Sequence, residues 1–481
     1  MKHNLYPVLA SVICGIVIFS TINFPMPSGY SNSGDFLRVI EPARIDFIGN
    51  NPNRHVFAAN FSMRLSSGTF FQQVNYFLSP KYSQFDYYTS QTPLIILSKV
   101  LNLASNAVFR RPLTNYSIVW MGFLYTLIFA FSLYLIYNFL LKRFGFKVFI
   151  FGFIVGLTVF CDQAYTLYFN SFYGEAMQYA ASFLSIGLFL NLAFREKHII
   201  LHYLAYYFSV ALMAMSKYAF APVGLLFAVL PTAYVLREKK YRKLVLTASA
   251  VSVIAFSFYF FFKVPAFIEE DTAFNTVFSG VLKYSDTPER DLQDMGFNPN
   301  LAVLKGREAY QSGYPIDIKS EEFRQMFYGK FSKIAIVKFY ITHPKRFWEA
   351  LKFTSENSKY IRPVYLPSNI YPDGENTQSA RFSLWEPLRV NMPFNKLWFI
   401  IPFLAAVLYI SVNSARRTEP LGFLGIVLIV SCVYNFITPY MGNGICDIAK
   451  HLFGFIQFFD LLIFAGFAVL FNKFRSIKKA A

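Results

Sequence analysis

Ser117-Ile-Val-Trp-Met-Gly-Phe-Leu-Tyr-Thr-Leu-Ile-Phe-Ala-Phe-Ser-Leu-Tyr-Leu-Ile-Tyr-Asn-Phe-Leu-Leu141 contains no charged residue and stops at Lys142-Arg143. A helix rises about 1.5 Å per residue, so roughly 20 apolar residues cross the hydrocarbon core of a bilayer. Similar runs recur at about 5–24, 148–162, 176–194, 199–216, 219–236, 244–262, 397–413, 421–438 and 452–471, which makes ten expected spans. Of the 481 residues, 55% are hydrophobic, 20% aromatic and only 15% charged, against about 25% charged in soluble chains. A soluble enzyme, a secreted disulfide scaffold and a disordered chain are excluded. The expected class is an all-α polytopic membrane protein.

The net charge of +18, from 45 Lys and Arg against 27 Asp and Glu, follows the same topology. With Lys2 placed inside, the inner segments hold Lys2; Lys142, Arg143 and Lys147; Arg195 and Lys197; Arg237, Lys239, Lys240, Arg242 and Lys243; Arg416 and Arg417; and Lys473, Arg475, Lys478 and Lys479. Only Glu196, Glu238 and Glu419 oppose them. Basic excess in short loops sets orientation, so the charge implies membrane lipids and no nucleic acid as partner. An even number of spans puts both termini in the cytoplasm, for a multi-pass plasma (inner) membrane protein. Leu5 to Phe24 lacks a small-x-small cleavage pattern before Pro25 and reads as a retained span. Cys14, Cys161, Cys432 and Cys446 are spaced for neither a metal site nor a redox motif.

Three parts are expected: a transmembrane module at 1–262 with a first outer loop at 25–116, an outer-loop domain at 263–396, and transmembrane helices at 397–481. Loops of this length are functional or disordered. The second carries 18 basic and 16 acidic residues with aromatics throughout, which points to order. Within it, Phe323, Phe327, Phe331, Ile334, Val337 and Ile341 recur at helical spacing over Glu321 to Ile341. Such a helix would sink its aromatics into the headgroup zone, or else pack on a second helix starting near His343-Pro344. Pro93 to Phe109 reads as an amphipathic or half-embedded helix in the first loop.

Acids beside spans are costly in so apolar a chain. Asp35 (in Ser31-Asn-Ser-Gly-Asp-Phe-Leu-Arg38), Asp162, Glu175 (in Asn170-Ser-Phe-Tyr-Gly-Glu175) and Asp447 (in Gly442-Asn-Gly-Ile-Cys-Asp-Ile-Ala-Lys-His451) all fall at one face under this topology. Joining a sugar to a hydroxyl needs a carboxylate to take the hydroxyl proton and cations for the departing phosphate. Asp35 and Glu175 suit catalysis; Arg38, Asp447, Lys450, His451 and Lys217 suit substrate and phosphate binding. Asp35, Glu175 and Asp447 are also oxygen ligands of the kind Mg²⁺ or Mn²⁺ prefers, which leaves metal binding open. Structural roles stand beside each assignment. Asp35 and Arg38 could form a local ion pair, and Glu175 could complement a helix dipole. Asp447 could cap a helix beside the interfacial anchors Lys450 and His451, and Lys217 could snorkel at a boundary. Asp162 reads as a boundary residue and Asp460 as a buried structural acid.

Ser33-Gly-Asp-Phe-x-Arg38, Ser171-Phe-Tyr-Gly-Glu175 and Gly442-Asn-Gly-Ile-Cys-Asp-x-x-Lys-His-Leu452, with a large outer loop directly after the first span, resemble elements of bacterial membrane hexose transferases of surface-glycan assembly. The layout over nearly the whole chain resembles the GT-C superfamily of polytopic glycosyltransferases. That resemblance implies transfer of a sugar from a polyprenyl-phosphate donor to a glycan, lipid or protein acceptor at the outer face. It also implies Asp35 as the first-loop catalytic base, with Asp46 and Asp86 as alternatives in the same loop. Many members pair two acids there; Asp35 has no such neighbour, so metal dependence stays open. Two other readings remain: a glycan polymerase or ligase using polyprenyl-diphosphate oligosaccharides, and a lipid-linked glycan transporter or flippase.

Overall fold

The computed structural model describes residues 2–49, 55–78, 85, 87–194, 200–370, 376–377 and 379–480. Asp86, Arg195, Glu196 and Lys197 lie outside the described residues. The chain is an all-α polytopic membrane protein with two minor antiparallel sheets. In chain order the helices that matter are α1 (Lys2–Asn23), α2 (Gln91–Val108), α3 (Val119–Phe144), α4 (Phe146–Val155), α5 (Gly174–Ala193), α6 (Ile200–Ala214) and α7 (Ala221–Ala228). They continue with α8 (Lys240–Phe262), α9 (Ala266–Phe274), α10 (Glu321–Met326), α11 (Lys333–Thr342), α12 (Pro344–Asn357), α13 (Leu397–Arg416), α14 (Pro420–Asn443) and α15 (Phe453–Ala480).

All ten apolar runs are helical, yet they differ in reach. Helices α1, α3, α5, α8, α13 and α14 are each long and apolar enough to cross a membrane; Phe146–Phe160 with Gln163–Asn170, bent by 58°, makes a seventh. Ile200–Ala214, Tyr218–Ala228 and Phe453–Ala468 are shorter apolar helices. The run at 219–236 is cut at Pro231, which lacks an N–H and crowds the preceding turn.

Helix α5 is the central post. Of its apolar window 83% is buried, against 11% for α13 and 22% for α8, so α5 is wrapped by protein while the other two border lipid. Tyr179 of α5 stacks on Phe129 of α3 (4.8 Å between centroids) and on Tyr165 (5.1 Å). One buried apolar cluster runs from Ala10 to Ile463 through all three expected parts.

The first loop is fixed by a three-stranded antiparallel sheet, β1 (Ile45–Asp46), β2 (Asn60–Met63) and β3 (Asn115–Ser117), and by α2, which covers the expected Pro93–Phe109 helix. The second loop is docked by buried acids. Asp162 accepts from the backbone N–H of Ala164 (2.8 Å) and of Trp385 (2.7 Å). Asp460, fully buried, pairs with Arg389 (3.0 Å) and accepts from Tyr165 (2.7 Å) and the Trp385 indole. The expected continuous helix at 321–341 is broken instead. Tyr328–Lys330 forms a tight turn around Gly329, and the Ser332 hydroxyl caps α11 afresh. Phe323 and Phe327 are packed inward, so these aromatics are core rather than headgroup anchors.

Candidate active site

Three sequence elements distant in the chain are brought together here. After α1 the chain pairs its backbone with the second loop, Gly29 and Ser31 N–H donating to the carbonyls of Ser368 and Pro367 (both 3.1 Å). The Asn32 side chain then accepts from the N–H of Gly34 and Phe36, and Gly34 takes φ +114°, a conformation open to glycine. That turn directs Asp35. Phe36 packs edge-on against Phe172 (5.2 Å) and Tyr173 (4.9 Å), and the Tyr173 hydroxyl bonds Ser31 O and Ser33 N–H. The first motif is thereby locked to the second.

The second motif ends at the first turn of α5. A Cβ on Gly174 would fall 2.5 Å from Ser216 O, so glycine lets α5 approach the Ser216-Lys217 backbone closely enough for Glu175 to meet Lys217. The third motif turns sharply after α14: Gly444 has φ +58° and Asp447, unusually for a side-chain-bearing residue, φ +50°. Strained residues of this kind persist where surrounding structure dictates them. The single turn Ile448–His451 follows and presents Lys450 and His451.

Lys450 is 1% exposed and each of its three N–H donors has an acceptor: Ser33 Oγ (3.2 Å), Asp35 Oδ2 (2.8 Å) and Asp447 Oδ2 (2.9 Å). Arg38 holds the other oxygen of Asp35 at 3.1 Å, while its buried Nε has no hydrogen-bond partner. Lys217 spans from Glu175 Oε1 (2.9 Å) to His451 Nδ1 (3.2 Å), which leaves one of its three donors. A cavity of about 230 Å³ is lined by Asp35, Arg38, Tyr87, Lys217, Tyr310, Asp447, Lys450 and His451 on its polar side. Phe220, Phe261, Val264, Ile268, Tyr434 and Pro439 form its apolar wall.

Six of the seven candidate residues therefore line one cavity. Glu175 does not: it is buried behind Lys217 and reaches the space only through that ammonium. Asp46 lies apart in β1, in an ion pair with Arg64. The contributions of Tyr310 and of Asn275, which donates to Asn443 Oδ1 at 2.9 Å, leave no trace in the sequence. Tyr173 and Asn443 sit inside the quoted motifs.

Electrostatics follow the contacts. Burial disfavours the charge on Asp35, but Arg38 and Lys450 outweigh it and hold the carboxyl well below the usual range. Burial likewise disfavours the charge on Asp447, and Lys450 outweighs it and lowers the carboxyl. Burial works against the Lys450 ammonium, yet Asp35 and Asp447 raise its pKa well above the ordinary value. Burial, then Lys217 and Lys450, push His451 well below its ordinary value, so its ring is neutral. Among the described residues no group of three or more acids, histidines or cysteines is placed to hold a metal ion. The Lys450 ammonium sits between Asp35 and Asp447.

A family model, the YfdI N-terminal transmembrane domain, matches residues 2–481. The chain belongs to that family. All three motifs and the cavity they build fall within this YfdI-type domain. A search of curated proteins gave no match.

Proposed function

We propose that this YfdI-family domain is an integral membrane glycosyltransferase that moves a sugar from a polyprenyl-phosphate donor to a glycan, lipid or protein acceptor. One observation carries the reading: an ionised carboxylate, Asp35, sits between two cations in a cavity that has one charged side and one apolar wall. A lipid phosphate sugar has the matching chemistry, a charged head on a hydrocarbon tail.

In this reading the acceptor hydroxyl attacks the anomeric carbon, its proton passes to Asp35, and the bond from that carbon to the phosphate oxygen breaks. Polyprenyl phosphate leaves with the bonding electrons. Lys217 and Arg38 are the phosphate contacts, because each has a donor to spare, whereas the donors of Lys450 are all engaged. Lys450 instead orders Asp35 and Asp447. A phosphate that draws Arg38 away would also relieve Asp35 of one cation, which raises its basicity as the proton must move. The three acids and three cations of the cluster balance, which favours a donor with one phosphate charge over a diphosphate.

Arg143, at the far end of α3, lies over the Phe194 ring just past the end of α5 (5.2 Å), whereas Glu175 begins α5. The basic loop and the cavity thus occupy opposite ends of the 20-residue α5, about 30 Å apart at the helical rise. With the basic loops inside, this reading puts the cavity at the outer face. The test is to supply reconstituted protein separately with radiolabelled polyprenyl-phosphate hexose and polyprenyl-diphosphate oligosaccharide. Consumption of the first supports the proposal; consumption of the second alone, or of neither, defeats it.

A further inference from the structure

Helices α11 and α12 form an elbow whose inner side is core and whose uncovered outer side carries apolar side chains between lysines. Ile336, Phe339 and Tyr340 are buried, while Ile334 (81% exposed), Val337 (47%), Ile341 (74%) and Trp348 (53%) face outward. Residues 333–352 carry five basic side chains and one acid, in a loop that is otherwise slightly acidic. The acid, Glu349, is engaged by Arg346, which also pairs with Asp291. Lys338, Lys345 and Lys352 are exposed and have no acid within ion-pair distance among the described residues. Glu356 is the next acid along the helix.

The elbow's place in the fold says what covers it. Lys333 Nζ lies 5.9 Å from the Phe261 ring, at the end of the α8 span, and Phe353 of α12 packs on Tyr440, near the end of the α14 span (5.5 Å). Helix α11 is apolar on both its buried and its outward face, and α12 is amphipathic. Outward apolar side chains flanked by lysines, held at the level where two spans end, suit a helix pair lying at a bilayer surface. Lysines near that surface attract anionic headgroups.

We infer that the α11–α12 elbow is a binding surface for anionic phospholipid headgroups, with Ile334, Val337, Ile341 and Trp348 immersed beside the cavity mouth. This inference is independent of the proposed reaction. The test uses the full chain, whose four cysteines are buried, with nitroxides attached at I334C and I341C and a water-facing control at K319C. In vesicles of phosphatidylglycerol and phosphatidylcholine, labels at 334 and 341 should be reached by oxygen and shielded from a nickel chelate, while 319 should show the reverse. In vesicles of phosphatidylcholine alone, or with K338Q and K345Q, the oxygen-to-nickel accessibility ratio at 341 should fall several-fold. Free access of nickel to 334 and 341 would overturn the inference. So would spin–spin broadening that disappears on dilution with unlabelled chain, since that marks a second copy as the occupant, or a ratio indifferent to lipid charge.

Discussion

The Lys450 ammonium lies 2.8 Å from the Asp35 carboxylate, although 415 residues separate them in the chain. A buried cation with two acids on it is a dangerous group to remove, because the acids then face one another with only Arg38, on Asp35, to compensate. Lys450→Met should cost about 3–5 kcal/mol of stability, the range for breaking a buried ion pair, read as a lowered unfolding midpoint in detergent. Lys450→Met combined with Asp35→Asn and Asp447→Asn should recover most of that loss. If Lys450→Met alone unfolds like the parent chain, the ammonium is not the organiser of the cluster.

Asp35 and Glu175 look alike in the sequence, each an isolated acid after a glycine, and the structure separates them by access. Asp35→Asn removes the proposed proton acceptor from the cavity wall, and its kcat should fall by about 10²–10⁴, the usual contribution of a general base. Glu175→Gln leaves the wall intact and should act through Lys217, raising KM for the lipid donor more than it lowers kcat. Equal effects of both on kcat would show that burial behind Lys217 does not divide their roles.

How much of this was legible without coordinates depends on the range over which each signal acts. The membrane class follows from runs such as 117–141, because apolarity over 20 residues is a local property. The sequence puts Asp35, Glu175 and Asp447 at one face, and a single pocket for all three holds for Asp35 and Asp447 with Lys217 and Lys450, but not for Glu175, which stands behind Lys217. Their pairing is set by Gly174, which admits the Ser216 backbone, and by the left-handed turn at Asp447; neither constraint shows in spacing. The helix expected at 321–341 failed for a similar reason. Its apolar repeat is genuine, but Gly329 and the Ser332 cap divide it, and Phe323 and Phe327 find partners in the fold that no periodicity reveals.

His451 is neutral because burial, Lys217 and Lys450 together disfavour its imidazolium. The turnover of the parent protein should therefore show no titration step near pH 6.5, the ordinary histidine value. Lys217→Met deletes the nearest cation, so the folded pKa of His451 should rise and an acid limb should emerge. The same shift affects stability. With the folded pKa below the unfolded one, the unfolded chain binds the extra proton between the two values, so His451 opposes folding progressively as pH falls below about 6.5. In Lys217→Met that acid-side loss should be smaller. Histidine titration followed by NMR of labelled protein checks the sign; an unchanged His451 pKa in Lys217→Met would remove the ammonium as a cause.

Arg389 and Asp460 form another buried pair, both fully enclosed and 3.0 Å apart, and they tie the end of the second loop to α15. Asp460 also holds Tyr165 and the Trp385 indole, so Asp460→Asn keeps the shape but weakens three interactions around one side chain. Arg389→Met leaves an unpaired carboxylate in an apolar interior and should cost about 3–5 kcal/mol. The double variant with Arg389→Met and Asp460→Leu should be the more stable of the two Arg389 variants, since no buried charge remains. Limited proteolysis supplies a second measurement: in Arg389→Met, cleavage within residues 359–389 should accelerate as the loop detaches, while the ends of α3 and α5 stay protected. If cleavage there matches the parent chain, the pair does not dock the loop, and the contacts of Trp385 with Asp162, of Phe382 with Gln163 and of Ser368 and Pro367 with Gly29 and Ser31 suffice to hold it.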